Sequence, residues 1–305
     1  MQFFLSHFNF YKFSLKMDKI MVTGANGHYG RGVLKALLNN GLEKRNIYAM
    51  IRDKTKASEL QSLGIHVVFG DYDDYDSLLK AFSGIDRLLF VSGSDVRNRT
   101  IQHKLVVKAA KNAGVKHILY TSQLHKSDHR DSPIYFIIKS HLATETAIMN
   151  SGMNFTILRN ALYMDMLPEF LGKKVVEDGI FLPAGQGKIA FTLRSEMAET
   201  AAVILRSQGH KNKVYEISGS SISFTEIAQK ISEIKGHNIT YLSPDPKVFI
   251  NAAVKKGAPR MLIKMLAGFA QAARIGELDS ESSHMEKLLG RKPAQVNDFL
   301  QQIYS

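Results

Sequence analysis

Gly24, Gly27 and Gly30 recur every third residue in Thr-Gly-Ala-Asn-Gly-His-Tyr-Gly, residues 23–30, directly after the first short apolar run that follows Met17. A pyrophosphate can sit at a helix N-terminus only where the backbone is bare enough to approach. In that setting Gly24 permits a tight turn, Gly27 the close approach, and Gly30 the packing of helix on strand. A strand before the glycines and a helix after them is the context this chemistry needs. Thr23, Gly24, Asn26, Gly27, His28, Tyr29 and Gly30 are therefore expected to hold the phosphates of a dinucleotide. His28 could donate to a phosphate, although Asn, Gln or Phe could equally occupy that turn.

A second group of charges falls where the second strand should end, with Arg52, Lys54 and Lys56 around Asp53. A carboxylate at this place accepts from the ribose hydroxyl of NAD, whereas an arginine accommodates the 2′-phosphate of NADP. The position falls on Arg52, with Lys56 nearby, so NADPH is the expected cofactor. Asp53 keeps NADH open as the lesser alternative.

Proton-transfer chemistry has one literal match, Tyr135-Phe-Ile-Ile-Lys139. In that pattern an ammonium one helical turn away lowers the phenol's pKa and positions it as acid or base. Tyr135 and Lys139 are thus catalytic candidates. No metal is expected: His125 and His129 are four apart, but in a loop without a carboxylate set. The absence of cysteine excludes thiolate catalysis, disulfides and Cys-ligated metals. No Gly-x-Ser-x-Gly occurs, so hydrolase chemistry lacks a nucleophile.

These groups need a scaffold, and the pattern from Lys19 onward supplies one. Short apolar runs at 19–23, 46–51, 65–69, 86–91, 116–121 and 154–158 predict strands. Helices are predicted near 28–40, 55–63, 74–83, 98–113 and 136–150, with helix-ending Gly64, Gly84, Gly114 and Gly152 before the strands. Such alternation implies βαβ units with right-handed crossovers, hence an α/β fold with a doubly wound parallel, Rossmann-like sheet. Residues 17–160 are expected to form it, rejoined by a helix and strand at about 195–219. Residues 161–194 and 220–305 then make a smaller, mostly helical C-terminal lobe over the sheet's carboxyl edge, where such folds bind ligands.

With these motifs the chain resembles the NmrA-like atypical short-chain dehydrogenase/reductase family, and within it the type-2 NADPH:quinone oxidoreductase group. The likeness runs from about Ile20 to Gly290 and rests on TGANGHYG (23–30), IRDKTKA (51–57), GDYDD (70–74), YTSQLH (120–125), ILRNALY (157–163), GQGKIA (185–190) and VYEISG (214–219). The resemblance implies that Asp71 and Tyr72 lie near the adenine and that Ser92, Gly93 and Ser94 pass close to the cofactor. It further implies that Thr121, Ser122 and His125 face the nicotinamide, while Asn160 and Tyr163 bracket the nicotinamide and the substrate cleft. Ala161-Leu162 stands where the family often has Gly-Trp, a departure touching substrate identity more than cofactor binding. The family's helix typically reads Lys-x-x-x-Glu, and counting back ten from Ser151-Gly152 lands on His141, with Glu145 four beyond. Lys139 is two residues out of that register, about 200° around the helix. His141 thereby becomes a third catalytic candidate.

The expected activity is hydride transfer from NADPH to a small-molecule acceptor of quinone type. Reducing a ketone requires a proton at a strongly basic alkoxide, whereas a reduced quinone oxygen is a far weaker base and can take its proton from water. Holding two rings at near-attack distance is then most of the task. The alternative is an NADP-binding redox sensor that signals without turnover, since one fold supports both. Sugar or flavonoid reductase chemistry would return if Tyr135 faced the nicotinamide.

The charge balance does not redirect this reading. The chain has 305 residues and a net charge of +12, with 21 basic and 13 acidic groups in residues 1–150 and 19 and 15 in 151–305. No basic run exceeds two residues, so no nucleic-acid partner is expected. Between Asp95 and Asp128 stand Arg97, Arg99, Lys104, Lys108, Lys111, Lys116 and Lys126 with no acid, read as a solvated face or else a docking surface for an anionic partner. No stretch is apolar enough to span a membrane. A cytoplasmic location is expected, and a homo-oligomer is left open. Residues 1–16, six of them aromatic, lack signal-peptide order and are expected to be an unstructured extension before a functional start at Met17, or else a membrane-touching tail.

Overall fold

The computed structural model describes residues 17–305, so the expectation for residues 1–16 lies outside the described residues. The first part of the chain runs β1 (Ile20–Val22), α1 (His28–Asn39), β2 (Ile47–Ile51), α2 (Ala57–Ser62), β3 (His66–Phe69), α3 (Tyr75–Phe82), β4 (Arg87–Phe90), α4 (Arg99–Asn112), β5 (His117–Gln123), α5 (Tyr135–Met149) and β6 (Asn154–Asn160). There follow β7 (Leu162–Tyr163), α6 (Leu167–Leu171), α7 (Val175–Asp178), β8 (Ile180–Phe181), β9 (Lys188–Thr192), α8 (Arg194–Arg206), β10 (Lys213–Ile217) and β11 (Ser221–Ser223). The chain closes with α9 (Phe224–Lys235), β12 (Tyr241–Leu242), α10 (Pro246–Lys255), α11 (Arg260–Arg274), α12 (His284–Leu289) and α13 (Val296–Tyr304).

Seven strands form one parallel sheet in the order β10-β6-β5-β4-β1-β2-β3. This is the doubly wound α/β fold expected from the alternating pattern. Its central strands are buried on both faces: every residue of β4 and all but the last of β5 are sealed from solvent, as parallel strands covered by helices must be. One apolar cluster fills each face of the sheet. Arg87 opens β4 yet is buried, because it pairs with Asp18 at 2.7 Å and donates to the carbonyls of Leu205 and Ser207 at the end of α8. A cation there also meets the negative end of the helix dipole.

A third apolar cluster belongs to the C-terminal region and centres on Phe170, whose ring meets Phe191, Phe224 and Phe269 at centroid distances of 5.9, 6.2 and 6.3 Å. This region is less purely helical than its sequence suggests. It adds a three-stranded sheet, β11-β9-β7, and a pair, β12-β8. Strands of two or three residues are too short to leave a period in the sequence.

Candidate functional site

The strand order reverses between β1 and β4, and the chain leaves both strands into one groove of about 550 Å³. Gly24 follows β1 with φ of +59°, a left-handed conformation that L side chains rarely adopt. A Cβ on Gly30 would lie 2.5 Å from the Gly24 carbonyl oxygen and 2.9 Å from the Ala25 Cα, so no side chain fits there. Gly27 caps α1 without a side-chain hydrogen bond, which leaves the first amides of that helix open to a ligand. Asn26 Oδ1 is buried in this turn with no partner. Free backbone amides at a helix N-terminus and a turn too tight for Cβ atoms fit a phosphate group.

Not every residue of the motif faces the groove. Thr23 is fully buried; its hydroxyl accepts from the Val91 amide at 2.9 Å and donates to the Tyr72 hydroxyl at 2.5 Å. Tyr72 in turn donates to the Val91 carbonyl at 2.8 Å, and burial pushes its phenol up. The Tyr29 phenol, also pushed up by burial, donates to the Met197 carbonyl at 3.2 Å. Thr23 and Tyr29 thus brace the turn from behind. His28 is exposed at the start of α1 and does not line the groove.

At one end the groove is lined by Arg52, Asp53 and Lys56, and further along by Asp71, Tyr72 and the loop Ser92–Ser94. Asp53 is turned to its own chain. Its carboxylate accepts from the Thr55 amide and hydroxyl at 3.0 and 2.6 Å, bonds that hold it below the usual carboxylate range, with Lys56 3.9 Å away. Lys54 lies over the Phe69 ring, 5.4 Å from its centroid. Arg52 has no ion-pair partner among the described residues. The free charge at this end is therefore cationic.

Behind Ser92 and Gly93 stands a buried polar wall from α4, β5 and α5. The Ser92 amide donates to Thr121 Oγ1 at 2.8 Å and the Gly93 amide to His103 Nε2 at 3.0 Å, while Arg99 Nε donates to the Gly93 carbonyl at 2.7 Å. Because His103 Nε2 accepts, its Nδ1 carries the hydrogen and donates to Thr144 Oγ1 at 2.8 Å, which donates onward to the Ser140 carbonyl at 2.6 Å. Burial, with Arg99 beside it, pushes His103 down to about 3. His141 obeys the same logic. Arg99 Nη1 can only donate, so His141 Nε2 accepts it at 3.2 Å, and Nδ1 donates to the Tyr120 hydroxyl at 2.7 Å. Burial, then Arg99, holds His141 well below the ordinary histidine range. It is a neutral imidazole with both nitrogens engaged.

A second cavity, of about 220 Å³, lies on the other side of this wall and shares Ser92 with the groove. Ile137, Leu162, Phe170, Met265, Leu266 and Phe269 make it largely apolar. Into it come Thr121, Ser122, Gln123, Asn160 and Tyr163 from the ends of β5, β6 and β7, with Arg99 and His141 from the wall. Asn160 is 3% exposed, and neither of its amide atoms has a hydrogen-bond partner; Tyr29 is close by but outside bonding geometry. Gln123 Nε2 is likewise buried without a partner. Ser122 is fixed by donating to Glu145 at 2.5 Å, and Arg159 clamps the same carboxylate through Nε and Nη2 at 3.2 and 2.7 Å. The Arg194 guanidinium lies over the Tyr163 ring, 4.5 Å from its centroid, and burial pushes that phenol up.

Besides Thr23, His28 and Tyr29, three further sequence candidates sit elsewhere. Tyr135 packs half-buried against the C-terminal core and Lys139 is exposed; neither lines the groove or the cavity. The side of α5 that reaches the cavity carries Ile137 and His141, while Lys139, between them in sequence, points to solvent. His125 is buried, its Nδ1 donating to the Gln123 carbonyl at 2.7 Å, and it also lines neither space. Among the residues that line them but were not singled out as site residues are Arg99, Gln102 and Gln123. Gln123 sits in the same strand-end run as Thr121 and Ser122. Arg99 was hidden in an acid-free basic stretch read as surface, yet it is 7% exposed. Among the described residues no group of His, Asp and Glu could hold a metal ion, and no helix is long and apolar enough to cross a membrane.

A glycine turn at the switch point of a doubly wound sheet, with an apolar cavity adjoining its groove at Ser92, defines a nucleotide-binding protein of the dehydrogenase/reductase type. The chain belongs to the NmrA-like family, whose pattern it matches over residues 16–300. It is 34% identical to quinone oxidoreductase 2 of Escherichia coli (strain K12) over 290 residues, 94% of this chain and 99% of that one. Among solved structures, the E. coli NADPH-dependent quinone oxidoreductase complexed with NADPH superposes with a TM-score of 0.87 at 33% identity, covering 94% of this chain and all of the other. The triphenylmethane reductase of Citrobacter sp. superposes with a TM-score of 0.85 at 36% identity, covering 93% and 98%.

Proposed function

We propose that the protein is an NADPH-dependent oxidoreductase that reduces a small, electron-poor aromatic acceptor of the quinone type. The observation that carries this reading is the meeting of two spaces at Ser92: a groove shaped for a dinucleotide and an apolar cavity too small for anything but a compact acceptor. The relatives named for NADPH-dependent quinone reduction support it.

Bound NADPH supplies a hydride equivalent from its nicotinamide ring. The chain's own groups do the rest. Gly24, Gly27 and the opening of α1 receive the pyrophosphate, and Arg52 with Lys56 receives the 2′-phosphate. Asp53 is poorly placed to serve a ribose hydroxyl, because Thr55 donates twice to its Oδ1 and Lys56 faces its Oδ2 at 3.9 Å. Asp71 and Tyr72 border the adenine, and Ser92–Ser94 the sugar and nicotinamide. Asn160 and Gln123 have unused donors and acceptors in the cavity, which suits them to orient a carboxamide and a carbonyl. Ile137, Leu266 and Phe269 exclude water and stack the acceptor. Proton delivery comes from solvent, since His141 holds no spare proton. Tyr135 and Lys139 have no part in this scheme.

The redox-sensor reading draws on that same neutral His141, which removes the obvious internal acid. Loss of reduced-nicotinamide absorbance with a panel of benzoquinones and naphthoquinones, set beside calorimetric binding of NADP⁺, separates the two. Turnover is expected. Tight NADP⁺ binding with no turnover across the panel would overturn the enzyme reading in favour of the sensor. As partners the reading needs only NADPH and the acceptor; a homo-oligomer and a cytoplasmic location are compatible with it.

A further inference from the structure

Arg99 is the one cation lining the apolar cavity, and it has no carboxylate within 4 Å among the described residues. Its hydrogen bonds go to the Gly93 carbonyl, His141 Nε2 and Ser140 Oγ, at 2.7, 3.2 and 3.5 Å. All come from Nε and Nη1, so Nη2 has no protein partner. Nor is Nη2 among the buried polar atoms left unpaired, so it is accessible, on a residue that lines the cavity. Asp95 is the nearest acid that acts on it, but that carboxylate is at the surface and already accepts from Asn98 and the Arg97 amide. The flanking imidazoles, His103 and His141, are both held neutral. A guanidinium that is 7% exposed, fixed by two side chains and a carbonyl and offered no counter-charge, calls for an anion from outside the chain.

We infer that Arg99 is an anion subsite of the acceptor cavity, and that the cavity selects planar aromatic acceptors bearing an oxyanion. The inference deepens the quinone-reductase reading and rests on it for the word acceptor, though not for the anion. Two sources present the same chemistry. The acceptor carries a resident sulfonate, carboxylate or ionised hydroxyl; or the oxyanion arises in the reaction. In the second case a neutral quinone gains hydride, a new bond to hydrogen forms, and the displaced carbon–oxygen π pair leaves one ring oxygen as an oxyanion. NADPH is oxidised to NADP⁺, and a proton from water later neutralises the oxyanion. In either case the negative oxygen sits on Arg99. The same fixed charge disfavours a cationic acceptor such as a triphenylmethane dye cation.

The test begins with binding and needs no turnover. Naphthalene-1-sulfonate and its neutral counterpart naphthalene-1-sulfonamide are titrated into the NADP⁺-loaded protein by calorimetry. The sulfonate is expected to bind about tenfold more tightly, the scale of one charge-assisted hydrogen bond. Arg99→Met should erase the difference and Arg99→Lys should keep part of it, with NADP⁺ affinity and thermal midpoint measured alongside, since Arg99 also steadies Gly93. Wild-type protein that shows no preference for the sulfonate overturns the inference outright, even if the Met variant cannot be purified. So does a preference that survives intact in Arg99→Met. Kinetics then assign the source. If the anion is resident, Arg99→Met raises the ratio of the KM for a naphthoquinone sulfonate to that for a neutral naphthoquinone about tenfold. If it arises on reduction, kcat for the neutral naphthoquinone falls about tenfold at unchanged KM. Should no quinone be reduced while sulfonate binding still depends on Arg99, the quinone reading fails and the anion subsite stands.

Discussion

The groove and the cavity share a wall, yet one is made of backbone and the other of side chains. The groove is shaped by Gly24, Gly27 and Gly30, by the open end of α1 and by the loop Ser92–Ser94, with charges added only at its rim. The cavity is assembled from α4, α5, α6 and α11 around the ends of β5, β6 and β7, and its polar groups are individual side chains, two amides and one guanidinium among them. A site made of backbone persists wherever the fold does. A site made of side chains can change ligand by single substitutions at unchanged fold. The cofactor should therefore be hard to alter without breaking the turn, and the acceptor easy.

The strongest way to break that contrast is to place a side chain in the turn. Gly30→Val puts Cβ against the Gly24 carbonyl and Ala25, both backbone, so the loop must move. NADPH affinity is expected to fall roughly hundredfold or more, about 2.7 kcal/mol, read by calorimetry with circular dichroism to confirm folding. Normal affinity in a folded variant would show that the turn is not what holds the phosphates. Next comes the rim. Arg52→Gln should raise the KM for NADPH about tenfold, the scale of one charged hydrogen bond, and leave that for NADH within about twofold. Equal change for both cofactors would remove Arg52 from the 2′-phosphate.

A smaller effect on turnover, with an opposite effect on stability, is expected in the cavity. Asn160 buries two polar atoms without partners, and replacing such a group by an apolar one of similar shape is neutral or stabilising. Asn160→Leu should raise the thermal midpoint of the ligand-free protein by roughly 2 °C, about 1 kcal/mol at this chain length. It should also lower kcat several-fold while NADPH affinity holds. A loss of stability would mean that the amide is satisfied in solution and is not kept open for a ligand.

The sequence made the sheet and the groove legible for a physical reason. Strand, glycine turn and helix are consecutive in the chain, and a motif whose parts are neighbours leaves a local pattern. Even there, Thr23 and Tyr29 are indistinguishable in sequence from groove residues, because only tertiary packing turns their hydroxyls towards Val91 and Met197. The cavity's wall joins Arg99 to Met265, residues far apart in the chain, and no spacing rule connects them. Arg99 looked like part of a solvated basic face; the packing of α4 against α5 decided otherwise. Tyr135 and Lys139 show the converse, a perfect local match on a helix whose cavity-lining positions are Ile137 and His141.

The last expected effect on turnover is none, and it follows from the wall itself. Between about pH 6.5 and 8 neither His103, pushed down to about 3, nor His141, well below the ordinary range, gains or loses a proton in the folded protein. The kcat profile of His141→Asn should then keep the wild-type shape across that window, whatever its height; a limb lost only in the variant would make His141 the proton donor after all. The same depressed values do act on stability. An imidazole that binds its proton in the unfolded chain near pH 6.5 and in the folded chain only near 3 stabilises the fold fully above 6.5. That contribution is lost as pH falls from about 6.5 towards 3, at up to one proton or about 1.4 kcal/mol per pH unit. Denaturant midpoints of wild type and His103→Asn across pH 4 to 7 should converge towards acid, because the variant no longer carries the imidazole whose protonation favours the unfolded chain.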